Sequence, residues 1–183
     1  MNISLNSIDK TEALYYLGFH GQTPETRIFE NITKCEAELL KQISPKAIYI
    51  VIGTDDPVLQ SEDLKQHLSG CKKAVLFAAT LGSGADKAIY VSGFVSPEFT
   101  LYTDALANAA IEQVCDEVEL EIKKLYGCEI TTRFSPGYGD FPLERQPEIL
   151  QRLNAFKIIG LRCKDSLMME PTKSVTAVFG IAG

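Results

Sequence analysis

No dense run of lysine or arginine occurs in this chain, and 18 basic residues face 24 acidic ones for a formal charge of −6. Binding to a phosphate backbone needs clustered cations, so no nucleic-acid partner is expected. Long apolar runs are also missing. The longest, such as Ala47–Ile52 and Ala74–Ala79, fall far short of the roughly 18 to 20 residues that span a bilayer. Met1–Lys10 carries neither a basic leader nor an apolar segment, so no membrane and a cytoplasmic location are expected. The five cysteines, Cys35, Cys71, Cys115, Cys128 and Cys163, are odd in number and form no close pair. They fit neither a disulfide framework nor a metal knuckle and read as reduced, mostly buried thiols. The two histidines, His20 and His67, are too few and too far from a paired acid or cysteine to suggest a metal site or a nucleophilic triad.

What is present fits one domain over residues 1–183, with 45% hydrophobic residues. At this size a chain buries about 70% of its unfolded surface without staples. Asn6 or Ser7 can cap a helix through Leu17 that Gly18 stops, and Thr23-Pro24 can open a second helix carried by Ile28, Ile32, Cys35, Leu39 and Ile43. Ala47–Ile52 and Lys73–Thr80 read as buried strands, with short helices over Ser61–Leu68 and from Ala85 to Val91. The second part, residues 101–183, begins with the longest helical pattern. It runs from Tyr102 to Leu125 on a stripe of Leu106, Ala110, Val114, Val118, Ile122 and Leu125, with Gly127 just past its end. Ile130–Phe134, a loop from Ser135 to Pro142 and a helix opened by Gln146-Pro147 follow. Val175, Ala177, Phe179 and Ile181 then alternate as in a half-buried strand.

Two loops invite chemistry. Thr80-Leu81-Gly82-Ser83-Gly84 follows a strand, as phosphate-binding turns do. It lacks the third glycine of a dinucleotide fold and the Lys-Ser or Lys-Thr of a P-loop, so it reads as a tight turn. Arg133-Phe134-Ser135-Pro136-Gly137-Tyr138-Gly139-Asp140-Phe141-Pro142 puts a bidentate cation beside backbone amides and an aromatic ring. That set can hold an amino-acid carboxylate and the edge of a purine, or serve as a structural turn with an ion-paired arginine.

Arg133-x-x-x-Gly137-Tyr138 resembles the S-adenosylmethionine-binding motif Arg-x-x-x-Gly-Tyr-Pro of the activation (reactivation) domain of cobalamin-dependent methionine synthase. Ile159-Gly160-Leu161, Asp165-Ser166-Leu167-Met168-Met169-Glu170-Pro171 and Ser174-Val175-Thr176 resemble later segments of that family in the same order. Residues 1–100, with Tyr16-Leu17-Gly18 and Ala79-Thr80-Leu81-Gly82, are similar to its stand-alone activation subunits. The resemblance implies an α+β fold with a twisted, largely antiparallel sheet and flanking helices. It implies S-adenosylmethionine binding by Arg133, Gly137, Tyr138, Glu112, Ser135 and Pro136, with Arg133 on the ligand carboxylate, Glu112 near its cationic groups and Tyr138 beside adenine or ribose. Three departures are Gly139 after the tyrosine, Glu170 at a tryptophan position and Thr172-Lys173 before the serine.

The same resemblance implies a partner, a cobalamin-binding methionine synthase or related corrinoid protein, with a flavodoxin-like reductant. The chain would support reductive remethylation of inactive cob(II)alamin and would not turn over alone, since the helical extension of the large enzyme's domain has no counterpart after Gly183. His67-Leu68-Ser69-Gly70 has Lys65 where the cobalt-binding motif Asp-x-His-x-x-Gly has aspartate, so cobalamin belongs to the partner. The alternatives are a non-catalytic accessory module that binds S-adenosylmethionine or a corrinoid protein, and an independent small-molecule methyltransferase. The last lacks the usual glycine-rich fingerprint.

Overall fold

A computed structural model describes residues 1–182. In chain order the elements are α1 (Lys10–Tyr16), α2 (Thr26–Gln42), β1 (Lys46–Gly53), α3 (Glu62–His67), β2 (Cys71–Thr80), α4 (Ser83–Ser92) and α5 (Pro97–Tyr126). They continue with α6 (Gln146–Arg152), α7 (Ala155–Ile159), β3 (Arg162–Cys163), β4 (Met169–Glu170) and β5 (Ser174–Ala182). The main sheet has the order β1-β2-β5 with both pairings antiparallel, and β3-β4 form a small antiparallel ladder. The fold is α+β with an antiparallel sheet and flanking helices, as the motif resemblance implied.

Strand alternation sends side chains to two cores. Val75, Phe77 and Ala79 of β2, with Ala177, Phe179 and Ile181 of β5, face α1, α2 and α5. Ala74, Leu76 and Ala78, with Val178, face Leu64, Ile149 and Ile159 of the smaller helices and Leu153 in the turn between α6 and α7. The expected half-buried last strand is therefore corrected: β5 is covered on both faces, and Thr176, Val178 and Gly180 are buried along with Ala177, Phe179 and Ile181. Beyond β5, Ile130 and Phe134 form single antiparallel bridges to Ile181 and Val178 instead of a full strand. They bring Arg133 alongside the sheet.

Helix α5 begins at Pro97 under a Ser96 cap, five residues before the sequence reading, and ends at Gly127 in the left-handed conformation. Its stripe is buried from Leu106 to Ile122, but Leu125 is exposed. The caps of the first two helices also differ. Asp9, not Asn6 or Ser7, accepts the amides of Thr11 and Glu12, because the chain bends at Asn6 and Ser7 and buries Ile8, whose amide donates to Glu36, before the helix starts. Glu25, not Thr23, precedes α2 and makes no side-chain cap. Ser61, where the sequence pattern begins the third helix, is the residue just before α3 and caps it. All five cysteines are free, but the expectation of mostly buried thiols is corrected: only Cys35 and Cys115 are buried, and Cys71, Cys128 and Cys163 are half-buried.

The glycine turn after β2 is a packing device. Gly82 has a φ of 79°, and a Cβ on Gly84 would lie 1.8 Å from the Gln42 carbonyl oxygen at the end of α2. Only glycine lets the start of α4 approach α2 this closely.

Candidate functional site

Helix geometry lines up Glu112, Asp116 and Glu119 on one face of α5, since positions four and seven apart share a face. The bridge at Phe134 sets Arg133 against that face. Its Nη2 donates to Glu112 Oε2 at 2.8 Å and its Nη1 to Asp116 Oδ1 at 2.8 Å, with Glu119 Oε1 3.1 Å from Nη1. One guanidinium thus serves three carboxylates. Burial disfavours its charge, but the Asp116 hydrogen bond and the field of Glu119 and Glu112 outweigh that and hold its pKa above the ordinary arginine value. Burial raises the Glu119 pKa above the usual carboxylate value despite Arg133, and Asp116 adds to the rise.

Arg133 and Glu112 stand at the junction of two cavities. One, of about 390 Å³, is also lined by Glu119, Thr132, Ser135, Tyr138 and Val175. The other, of about 280 Å³, reaches α1 through Asp9, Glu12 and Tyr16. Burial, with Glu112 and Glu12 nearby, pushes the Tyr16 hydroxyl up, so it stays a neutral donor at physiological pH. Asp9, Glu12, Glu112 and Asp116 oppose a single arginine in this second cavity. The surplus of negative charge suits a ligand that carries positive charge as well as a carboxylate.

Of the residues the sequence singled out, Glu112, Arg133, Ser135 and Tyr138 meet at the first cavity. Tyr138 is 60% exposed and sits edge-on to Phe134. Pro136 is buried in the loop, and Gly137 has a φ of 94°; neither lines the cavity. The expected free backbone amides are corrected in part. Gly137 donates to Phe141 O at 2.8 Å, Tyr138 to Ser135 O at 3.1 Å and Phe141 to Tyr138 O at 2.9 Å, so the loop spends these amides on its own turns. Asp116, Glu119, Asp9 and Glu12 are not among the residues that the sequence singles out, and Tyr16 stands there only in the Tyr16-Leu17-Gly18 resemblance. The spacing of Asp116 and Glu119 from Glu112 is visible there, but what faces them is not.

The loop is clasped to α3. The Asp140 carboxylate accepts the Ser61 hydroxyl, the Glu62 amide at 2.8 Å and the Asp63 amide at 3.1 Å, while the Asp140 amide donates to Asp63 Oδ2 at 3.1 Å. The Ser61 hydrogen bond, then the Glu62 amide, hold the Asp140 carboxyl below its ordinary pKa. Gly139 completes the clasp: its φ is 51°, and a Cβ there would lie 2.1 Å from Asp63 Oδ2. Gly139→Ala is expected to cost about 1–2 kcal/mol through the left-handed backbone alone, with further loss from a displaced Asp63. Urea unfolding measures it, and unchanged stability would show that the clasp is absent in solution.

Among the described residues no cluster of histidine, cysteine, aspartate and glutamate is arranged to hold a metal ion, and no helix is long and apolar enough to cross a membrane. No family model matches the chain, and no curated protein matches it in sequence. Among solved structures, the chain is similar to one described as the MetH reactivation domain bound to AdoHcy. The TM-score is 0.75 at 17% identity, and the match covers 98% of this chain and 77% of that one. The chain therefore shares the fold of that domain.

Proposed function

We propose that this chain is an S-adenosylmethionine-binding activation subunit that supports reductive remethylation of cob(II)alamin on a partner methionine synthase or related corrinoid protein. The observation that carries the reading is the convergence of Arg133 of the motif with Glu112, Ser135 and Tyr138 on one cavity, in a fold shared with a domain described as binding AdoHcy. The donor set fits the ligand. Arg133 would take the methionyl carboxylate in place of one of its acidic partners, and the carboxylate so released, from Glu112 or Asp116, would face the ammonium or sulfonium. Tyr138 would flank adenine or ribose, while Gly137 and Pro136 shape the loop beneath it. Bound S-adenosylmethionine would supply a methyl group on cationic sulfur, which passes to cobalamin on the partner once a flavodoxin-like donor has reduced it. The protein's contribution is orientation, for which no general base is required.

One observation favours the accessory reading in which no methyl is donated: the guanidinium of Arg133 is already held by three carboxylates. Calorimetric titration with S-adenosylmethionine, followed by methyl-label transfer to a cob(II) corrinoid protein with a reductant, separates the two. Saturable binding with label on cobalt is the expected result. Binding without transfer supports an accessory module that binds S-adenosylmethionine, and no binding overturns the proposal and leaves only an accessory module that engages a corrinoid protein. Glu112→Gln is expected to weaken binding by about 0.5–1 kcal/mol, the scale of a partly exposed ion pair. Calorimetry that returns wild-type affinity would remove Glu112 from the site.

A further inference from the structure

We propose that the cleft between α2, α4 and α5, on the far side of α4 from Tyr90 and Phe94, is a binding site for an aliphatic monocarboxylate of about ten carbons. The cavity measures about 260 Å³, and Leu39, Ala88, Val91, Val95 and Phe99 supply its apolar walls. Val91 and Val95 stay 48% and 66% exposed at its edge, so the molecule leaves this apolar surface uncovered. An apolar cavity of about 150 Å³ accepts the six carbons of benzene, which scales to roughly ten here.

The polar groups decide what kind of molecule enters. On the floor, the Thr103 hydroxyl is spent on the Phe99 carbonyl at 2.8 Å, and burial raises the Cys35 pKa so that the thiol remains neutral. Neither offers a free charged partner to a polar ligand body. Lys34 of α2 and Lys87 of α4 also line the cleft and are exposed. No ion pair engages either of them among the described residues, whereas the one acid of the lining, Glu38, is bonded to Lys41 at 2.7 Å. The cleft therefore presents a neutral, apolar interior and two uncommitted cations. That arrangement matches a chain with one anionic end, the apolar body contributing most of the affinity and the cations selecting the head. The site is separate from the Arg133 cavities and does not depend on the function proposed above.

Calorimetry of the full chain with decanoate, below its micelle concentration, and with 1-decanol tests the assignment. The expected result is saturable one-to-one binding of decanoate, with decanol at least tenfold weaker. A Lys34→Glu, Lys87→Glu double variant should weaken decanoate at least tenfold and leave decanol unchanged. Ala88→Phe should abolish both by filling the cleft. Val91→Trp, at a half-exposed position, gives the same test if the phenylalanine variant fails to fold. Absent or unsaturable decanoate binding overturns the proposal, as does decanoate binding that survives both cleft-filling variants. Adsorption to phosphatidylglycerol vesicles without binding of free decanoate would assign the surface to a membrane and also overturn it.

Discussion

Arg133→Ala is expected to weaken S-adenosylmethionine binding by about 1.5–3 kcal/mol, the worth of a hydrogen-bonded charge partner, and to destabilise the free protein in a pH-dependent way. The second effect follows from the cage. Without the guanidinium, Glu112, Asp116 and Glu119 lose the cation that each now contacts at 2.8, 2.8 and 3.1 Å. Glu119 already titrates above the ordinary carboxylate value because it is buried, and Arg133 is a main force pulling it back. A carboxyl whose folded pKa is raised destabilises the fold fully above that folded pKa and ceases to do so below the unfolded one. The variant should therefore lose most stability at neutral pH and recover part of the loss as acid protonates Glu119. Thermal unfolding at about pH 7.5 and about pH 5 reads the difference, the ordinary glutamate value lying near 4.3. Arg133→Lys keeps the charge but not the fork that spans several acceptors, so it should restore stability better than affinity. Equal destabilisation at both pH values would mean that the cage carries no electrostatic load, and calorimetry showing wild-type affinity in a folded Arg133→Ala protein would remove the arginine from the ligand.

The parts of the fold legible in the sequence are those set by local pattern. The stripe from Leu106 to Ile122 marks α5, Ser61 marks the start of α3, and the apolar runs mark β1 and β2. The last strand misleads because its alternation describes only one face. Its other face is covered at Thr176 by Gln146, whose Oε1 lies 3.2 Å from the threonine hydroxyl, and Gly180 packs closely on Cys71 and Leu68. None of these three partners is near in sequence. Helix α7 and the β3-β4 ladder are too short to produce a period. In the site, an arginine followed by a glycine- and proline-rich loop already suggests anion binding. That its guanidinium is shared by three acids of α5 comes from the single bridge between Phe134 and Val178, a tertiary contact that no spacing encodes.

Gly84→Ala is expected to be the most destabilising small substitution in the chain, at about 3 kcal/mol, which for a protein of this size lowers the melting temperature by roughly 6–12 °C. The added methyl would lie 1.8 Å from the Gln42 carbonyl oxygen and 2.7 Å from its carbon. Both atoms are backbone, so no rotamer change relieves the overlap. Retreat is limited on either side: the Ser44 amide is bonded to the Leu81 carbonyl at 2.8 Å, and β1 and β2 run on from these residues as a paired ladder in which Lys46 faces Thr80. Gly18→Ala is the control. It has a φ of 87° but nothing within 4 Å of the added atom, so it should show only the backbone cost of about 1–2 kcal/mol. The comparison also decides the role of the turn. The carbonyl oxygen against Gly84 is an acceptor and would repel a phosphate, and the large loss should appear in the free protein with no nucleotide added. A Gly84→Ala protein as stable as wild type, but impaired in binding a nucleotide phosphate, would instead make the glycines an anion cradle and remove the α2–α4 contact as their reason.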